Sequence, residues 1–308
     1  MSITPQYLKQ GDKIAIAATA RKVSLEEMQP AIDIFTSWGL NVVLSNELYD
    51  AENQFAGIDE IRTKSFQNFL DDEKIKAIFC ARGGYGTVRI IDQLNFSSFL
   101  INPKWVVGYS DITVLHSHIN KNLNSQTLHA TMPINMQLHN ADEESILSLK
   151  KMLFGEIVSY QIPSHHLNIT GESKAQIVGG NLSVLYSLLG SNSDIDTKGK
   201  ILFLEDLDEY LYHIDRMMMN MKRNGKLSHL AAIIIGGMSD MKDNTIPFGK
   251  TAEEIIYGHV KDFNYPVCFG FPAGHEKKNV ALKFGAEVFL KVENEFSEIA
   301  FLIKKILP

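Results

Sequence analysis

The sequence predicts an α/β protein of two units: an N-terminal parallel-sheet domain of the Rossmann or flavodoxin kind, then a second C-terminal α/β domain, with the functional site between them. Three observations predict it. Strand and helix patterns alternate through the first half, glycine-rich turns follow the third and fourth strands, and the alternation loosens between about 140 and 175 before resuming. A chain of 308 residues also exceeds the usual single-domain size. We therefore place an N-terminal domain at 1–145, a linker at 146–174 and a C-terminal domain at 175–308.

The first strand is "KIAIAATA", an apolar run ending in small residues. In the helix after it, "SLEEMQPAIDIFTSWG", Leu25, Met28, Ile32 and Phe35 recur at spacings of three and four, with Ser24 as N-cap and Gly39 as stop. "LNVVLS" and "IDEIRTKSFQNFLDD" repeat the strand–helix pair, followed by "IKAIFCARGGYG" with "TVRIIDQL" and by "KWVVGYSD" with "ITVLHSHINKN". Such alternation implies a parallel sheet with helices on both faces and ligands beyond the carboxyl ends of its strands, where "RGGYG" and "GYSD" both fall.

"HNADEESILSLKKMLFGE" reads as a helix, and the polar, strand-like alternation of "IVSYQIPSHHLNITGESKAQ" suits a crossing between domains. The second half then supplies a turn entering a helix ("VGGNLSVLYSLLG"), a strand ending in acids ("KGKILFLEDLDEY") and a helix with Gly225 near its stop ("HIDRMMMNMKRNGKL"). A fully apolar strand ("LAAIIIGGM"), a helix ("TAEEIIYGHVKDF") and a strand ending in Gly-His ("PVCFGFPAGHE") follow. The tail, 280–303, alternates like an antiparallel pair.

Composition excludes several classes. Hydrophobic residues at 45% and charged residues at 21% are those of a globular protein. A net charge of −6, with no Lys/Arg-rich run, leaves no electrostatic footprint for nucleic acid. The apolar segment 14–20 is too short for a signal-peptide core or a membrane span, so we expect a cytoplasmic protein that binds no membrane. Cys80 and Cys268, without CxxC spacing, read as buried thiols in a reducing compartment.

Ser110, at a strand-to-helix turn, has two available jobs: capping the helix or presenting its hydroxyl for attack. The other strand ends bear on the choice, because Glu205 closes "ILFLE" and His275 closes "VCFGFPAGH". Attack by serine needs an imidazole to take its proton and a carboxylate to hold the imidazole. Asp206, Asp208 and Glu209 compete with Glu205 for that last role. The order Ser, acid, His is that of α/β-hydrolases, but Ile112 stands where their G-x-S-x-G elbow needs its second glycine. "RGGYG" lacks both a following GK[ST] and a complete G-x-G-x-x-G, which argues against a nucleotide. His116 and His118 face apart on a helix and His165–His166 fall in the linker, so no zinc ligand set emerges.

Five motifs in fixed order, "ARGGYG" at 81–86, "GYSDIT" at 108–113, "GGNL" at 179–182, "LFLEDLDE" at 202–209 with "HIDRM" after it, and "GFPAGH" at 270–275, give the chain its resemblance to a known family. It resembles the serine LD-carboxypeptidases of peptidase family S66, which also include self-immunity peptidases that degrade the antibiotic microcin C. One departure stands out: many members carry Pro-Ser after the first strand's alanine, where this chain reads "AATAR". The resemblance implies Ser110 as nucleophile, Glu205 and His275 as its partners, no metal or other cofactor, and commonly a homodimer.

It further implies a small-peptide substrate, a cytoplasmic cell-wall tetrapeptide cut between the L-centre of a diamino acid and a terminal D-alanine. The backbone N–H groups of Gly84 and Asp111 are the candidate oxyanion donors, with glycine allowing close approach. Arg82, Tyr85, Asn181 and Arg216 are candidate substrate-binding residues; the two arginines could pair with carboxylates, although Arg216 beside Asp215 also reads as a structural ion pair. The "MMMNM" run at 217–221 reads as a core or dimer face. Two other functions stay open: an immunity peptidase acting on an aminoacyl- or peptidyl-nucleotide amide, for which no aromatic cluster or basic loop is visible, and a two-domain protein that holds a peptide without cutting it.

Overall fold

A computed structural model describes residues 2–137 and 142–302; the first residues of the helix predicted from 139, and residue 303 of the tail, lie outside them. In chain order the strands are β1 Lys13–Ala17, β2 Asn41–Leu44, β3 Ile75–Cys80, β4 Trp105–Gly108, β5 Thr127–His129, β6 Ser159–Pro163 and β7 Gly171–Asn181. They continue with β8 Ile201–Leu207, β9 Ala232–Ser239, β10 Val267–Cys268, β11 Leu282–Phe284, β12 Glu287–Val292 and β13 Phe296–Phe301.

The first sheet runs β2-β1-β3-β4-β5-β11, parallel except for the antiparallel edge β11. Its first five strands have the flavodoxin-like order, whose direction reverses between β1 and β3; ligands sit at that crevice, beyond the strand carboxyl ends. β3 and β4 are buried almost throughout because helices cover both faces, which is why they read as apolar runs. Helix Leu25–Ser37 begins in the expected place because Ser24 and Glu27 form a reciprocal capping box, and it buries Met28, Ala31 and Phe35.

The second sheet runs β10-β9-β8-β7-β12-β13-β6. It is parallel from β10 to β7 and antiparallel from β7 to β6. Strand β7 serves both halves: its outer residues alternate in burial against β12, while residues 177–181 are buried beside β8.

The structure redraws several expectations. The segment assigned to the linker carries β6 and the start of β7; its polar alternation is that of antiparallel strands with one wet face. The tail is an antiparallel pair only at β12 and β13, since β11 pairs instead with β5 of the first sheet. β5 itself, three buried residues long, is too short to show a period. Glu205 lies inside β8, where the register with β9 shifts between Leu204 and Asp206. His275 lies beyond β10, on a stretch in which Pro272 and the positive φ of Gly270 and Gly274 prevent a continued ladder.

The two sheets pack directly on each other. Phe203 of β8 lies 5.1 Å from the His129 ring of β5 and 6.0 Å from Phe284 of β11 (ring centroids), and all three are fully buried. Burial of such an aromatic contributes about 1.5–3 kcal/mol. Polar docking adds to it, as the Asn181 N–H donates to Thr113 Oγ1 at 3.0 Å. Cys80 and Cys268 are buried free thiols, both pushed up by burial, Cys268 to about 11.

Gly179, at φ +145°, has no room for a side chain, since a Cβ there would lie 1.9 Å from the Phe203 carbonyl oxygen. We expect Gly179→Ala to cost about 2–6 kcal/mol, the sum of overpacking and backbone strain. It should lower the urea midpoint accordingly; an unchanged midpoint would contradict this packing.

Candidate active site

The carboxyl ends of both sheets open into one cleft of about 520 Å³. Arg21 enters it from beyond β1, Arg82 to Gly84 after β3, and Ser110 after β4. Asn181 enters after β7, Asp206 to Glu209 at the end of β8, and His275 beyond β10.

The Ser110 turn is built by sterics. Gly108, at φ +157°, ends β4 where a Cβ would meet Ile112 at 2.8 Å. Tyr109 is extended and Ser110 takes φ +64°, a left-handed conformation that costs a non-glycine residue about 1–3 kcal/mol. Ser110 opens the 3₁₀ turn Ser110–Ile112, and neither that turn nor helix Thr113–His118 has a side-chain cap. Its hydroxyl therefore does not serve as a helix cap. Behind the turn, the buried His116 donates from Nε2 to the Gly108 carbonyl at 2.8 Å; burial depresses its pKa to about 4.

The glycine loop lies against this serine. A Cβ on Gly83 would stand 2.9 Å from Ser110 Cβ and 3.0 Å from Oγ, so the loop backbone rests on the nucleophile candidate. Asp111 fixes the loop from beneath, its buried carboxylate accepting the Thr87 N–H at 2.8 Å. Burial raises the Asp111 pKa, against the bonds from Thr87 and Gly86 and the charge of Arg62. Arg62, fully buried, donates to Gly86 O at 3.0 Å and to Thr19 O at 2.5 Å, and pairs with Asp59. The Gly84 N–H has no hydrogen-bond partner among the described residues.

Across the cleft, Glu205 is fully buried, and its Oε2 accepts from His275 Nδ1 at 2.6 Å and from the His275 backbone N–H at 3.3 Å. Gly274 permits this approach, because a Cβ there would lie 2.7 Å from Glu205 Cβ. Burial opposes the charged imidazolium of His275. The charge and hydrogen bond of Glu205, with the charge of Asp206, outweigh that burial, and the His275 pKa is raised. The His275 ring lies 4.8 Å from the ring of Tyr109, next to Ser110, with no direct Ser110–His275 hydrogen bond among the described residues.

The competing acids have other partners. Asp206 accepts from Asn181 Nδ2 and the Ser183 N–H, both at 2.8 Å, and so anchors the start of helix Leu182–Leu188. Burial and the neighbouring Glu205 charge push its pKa up to about 7. Asp208 pairs with Lys242 and Glu209 with His213.

Of the candidate substrate-binding residues, Arg82 and Asn181 line the cleft, though the Asn181 amide is engaged by Asp206, Ser183 and Val184. Tyr85 and Arg216 do not line it. Tyr85 faces the Phe55 ring at 6.1 Å, and Arg216 lies over Tyr212 at 5.1 Å. Met217, Met218 and Met221 are fully buried and belong to the core, while Met219 of the same run is exposed. Arg21 was not among the sequence candidates; its only signal was the departure at "AATAR". Among the described residues no three His, Cys, Asp or Glu side chains cluster as metal ligands.

A doubly wound sheet that carries a strained serine turn on the same cleft as a histidine–carboxylate pair from a second α/β unit is the arrangement of a serine hydrolase. The chain belongs to the LD-carboxypeptidase family: the family's N-terminal domain matches residues 14–130 and its C-terminal domain residues 174–290. A protein of Bacillus subtilis (strain 168), named "Probable murein peptide carboxypeptidase", is 31% identical over 306 residues, covering 97% of this chain and 95% of that one. The crystal structure of muramoyltetrapeptide carboxypeptidase from Oxalobacter formigenes superposes with a TM-score of 0.86 at 25% identity, over 94% of this chain and 98% of that one. The microcin C7 self immunity protein MccF, in complex with aspartyl sulfamoyl adenosine, shares the fold at a TM-score of 0.85 and 19% identity, over 98% of this chain and 99% of that one.

Because the Gly83 backbone rests on Ser110, Gly83→Ala should slow labelling of Ser110 by a fluorophosphonate probe at least about tenfold, the scale of a small misplacement at a reacting centre. Unchanged labelling would show that the loop does not position the serine.

Proposed function

We propose that the protein is a cytoplasmic murein-tetrapeptide carboxypeptidase that releases the terminal D-alanine through Ser110, His275 and Glu205. The observation that carries this reading is the buried Glu205–His275 hydrogen bond, which aims an imidazole of raised pKa into the cleft that holds the Ser110 turn. The names of the relatives, "Probable murein peptide carboxypeptidase" and muramoyltetrapeptide carboxypeptidase, support the substrate.

In this mechanism Ser110 Oγ attacks the carbonyl carbon of the diamino acid while its proton passes to His275 Nε2. Glu205 stabilises the imidazolium so formed and keeps Nδ1 protonated, leaving Nε2 free to accept. The N–H groups of Gly84 and Asp111 hold the oxyanion, and the Gly84 N–H, which has no partner among the described residues, supports its half of that role. His275 then protonates the departing amine of D-alanine, and a water that it activates hydrolyses the acyl-enzyme. No step requires a metal. The cytoplasmic setting is consistent with the finding that, among the described residues, no helix is long and apolar enough to cross a membrane. The homodimer implied by the family resemblance is part of the proposal, and sedimentation velocity tests it.

Ser110→Ala and His275→Ala should each lower turnover by at least about a thousandfold, the usual scale for a serine triad, without shifting the folding transition. Retention of a tenth of the activity would remove the residue from the mechanism. The pH profile should reflect the raised pKa of His275. The base must be neutral, so activity falls as pH drops through that pKa, and the acid limb lies above the ordinary imidazole value of about 6.5. EDTA should leave the rate unchanged. Mass spectrometry of L-Ala-D-Glu-(diamino acid)-D-Ala incubated with the enzyme should show the tripeptide and one D-alanine. Turnover of an aminoacyl-sulfamoyl-adenosine with none of the tetrapeptide would instead favour the immunity role.

A further inference from the structure

The cleft is electrically two-sided. Its second-unit lip carries Asp206, Asp208 and Glu209, while the cations that line it, Arg21 and Arg82, stand on the first unit. We infer that Arg21, with Arg82 lining the same cleft, binds the free carboxylate of the residue that leaves, and so makes the enzyme an exopeptidase. This inference rests on the peptidase reading above.

Bond lengths set the reach. The carboxylate carbon of a C-terminal residue is separated from the scissile carbonyl carbon only by the amide nitrogen and the Cα, a span of at most about 4 Å. A carboxylate-binding cation must therefore stand immediately beside the serine. Gly83 faces Ser110, and the next residue, Gly84, carries the Arg21 side chain across it. A Cβ on Gly84 would lie 2.7 Å from Arg21 Cδ and 2.8 Å from both Cγ and Nε. The absence of a side chain at Gly84 is what lets the Arg21 side chain lie against the loop, one residue from the glycine that touches Ser110.

Arg21 is also the available charge. Its guanidinium has no hydrogen-bond or ion-pair partner among the described residues, whereas Arg62 and Arg89 are both committed to Asp59. Arg82 meets Glu27 only loosely, at 3.7 Å. A guanidinium offers a planar fork that matches a carboxylate with two hydrogen bonds. The acids on the opposite lip, already held by Lys242, His213, Asn181 and Ser183, offer a carboxylate no donor, which leaves the Arg21 side for it. The cation comes from the loop that follows β1.

Two readouts test the assignment. For the tetrapeptide and its C-terminal amide, the wild-type preference for the free acid should fall by about 10- to 100-fold in Arg21→Ala, the scale of one charge-assisted pair. Arg21→Lys, which keeps the charge but not the fork, should retain part of that preference. The second readout does not depend on the tetrapeptide being a substrate: D-alanine should slow fluorophosphonate labelling of Ser110 in the wild type, D-alaninamide should not, and neither should protect Arg21→Ala. Loss of D-alanine protection in Arg21→Ala supports the inference even if the tetrapeptide is not turned over, an outcome that would count against the substrate alone. Equal protection of Arg21→Ala and wild type, no D-alanine protection of the wild type, or an acid-to-amide preference unchanged by the substitution, overturns it.

Discussion

The site depends on the burial of the Glu205 carboxylate. A carboxylate removed from water needs compensation, and here it comes from the Nδ1–H and backbone N–H of one residue, His275. Its other oxygen, Oε1, is buried with no hydrogen-bond partner among the described residues, so compensation is incomplete while the imidazole is neutral. A charged imidazole is therefore favoured beside it, which is the sense of the raised His275 pKa. The same asymmetry stabilises the imidazolium that forms when a serine gives up its proton.

Several glycines give this arrangement its geometry. Gly274 lets the His275 segment close on Glu205, Gly83 lets the loop touch Ser110, and Gly180 sits where a Cβ would fall 2.4 Å from Thr113 Oγ1, on the helix behind the nucleophile turn. Each marks a place where one backbone meets a neighbouring side chain without an intervening Cβ. The register shift in β8 falls at the strand's active-site end, around Glu205, where a bulge can re-aim a side chain. Packing of Phe203 against His129 and Phe284 holds the two sheets together behind the cleft.

The fold class was legible because parallel strands covered on both faces must be apolar throughout, and their alternation with capped helices is a long-range pattern. Ser110, Glu205 and His275 were legible as polar residues following apolar runs; the structure places Ser110 and His275 on one cleft, with Glu205 buried behind His275. What escaped the sequence was set by tertiary contact. β5 has three residues, too few for a period, and β11 leaves a hairpin-like tail to pair with it. The polar alternation of 159–163 looked like a linker because one face of an antiparallel strand is wet. Tyr85 and Arg216 had the right chemistry but lie outside the cleft, whereas Arg21 reaches it from a loop that neighbours Gly84 only in space.

A buried carboxylate is coupled to the imidazole that shares a cleft with Ser110. An NMR titration of the His275 ring in the wild type and in Glu205→Gln measures that coupling directly. The account predicts a wild-type pKa above the ordinary imidazole value of about 6.5, and a lower value once the carboxylate charge is removed and burial is left unopposed by it. A wild-type value at or below the ordinary one, or a value that Glu205→Gln leaves in place, would contradict it.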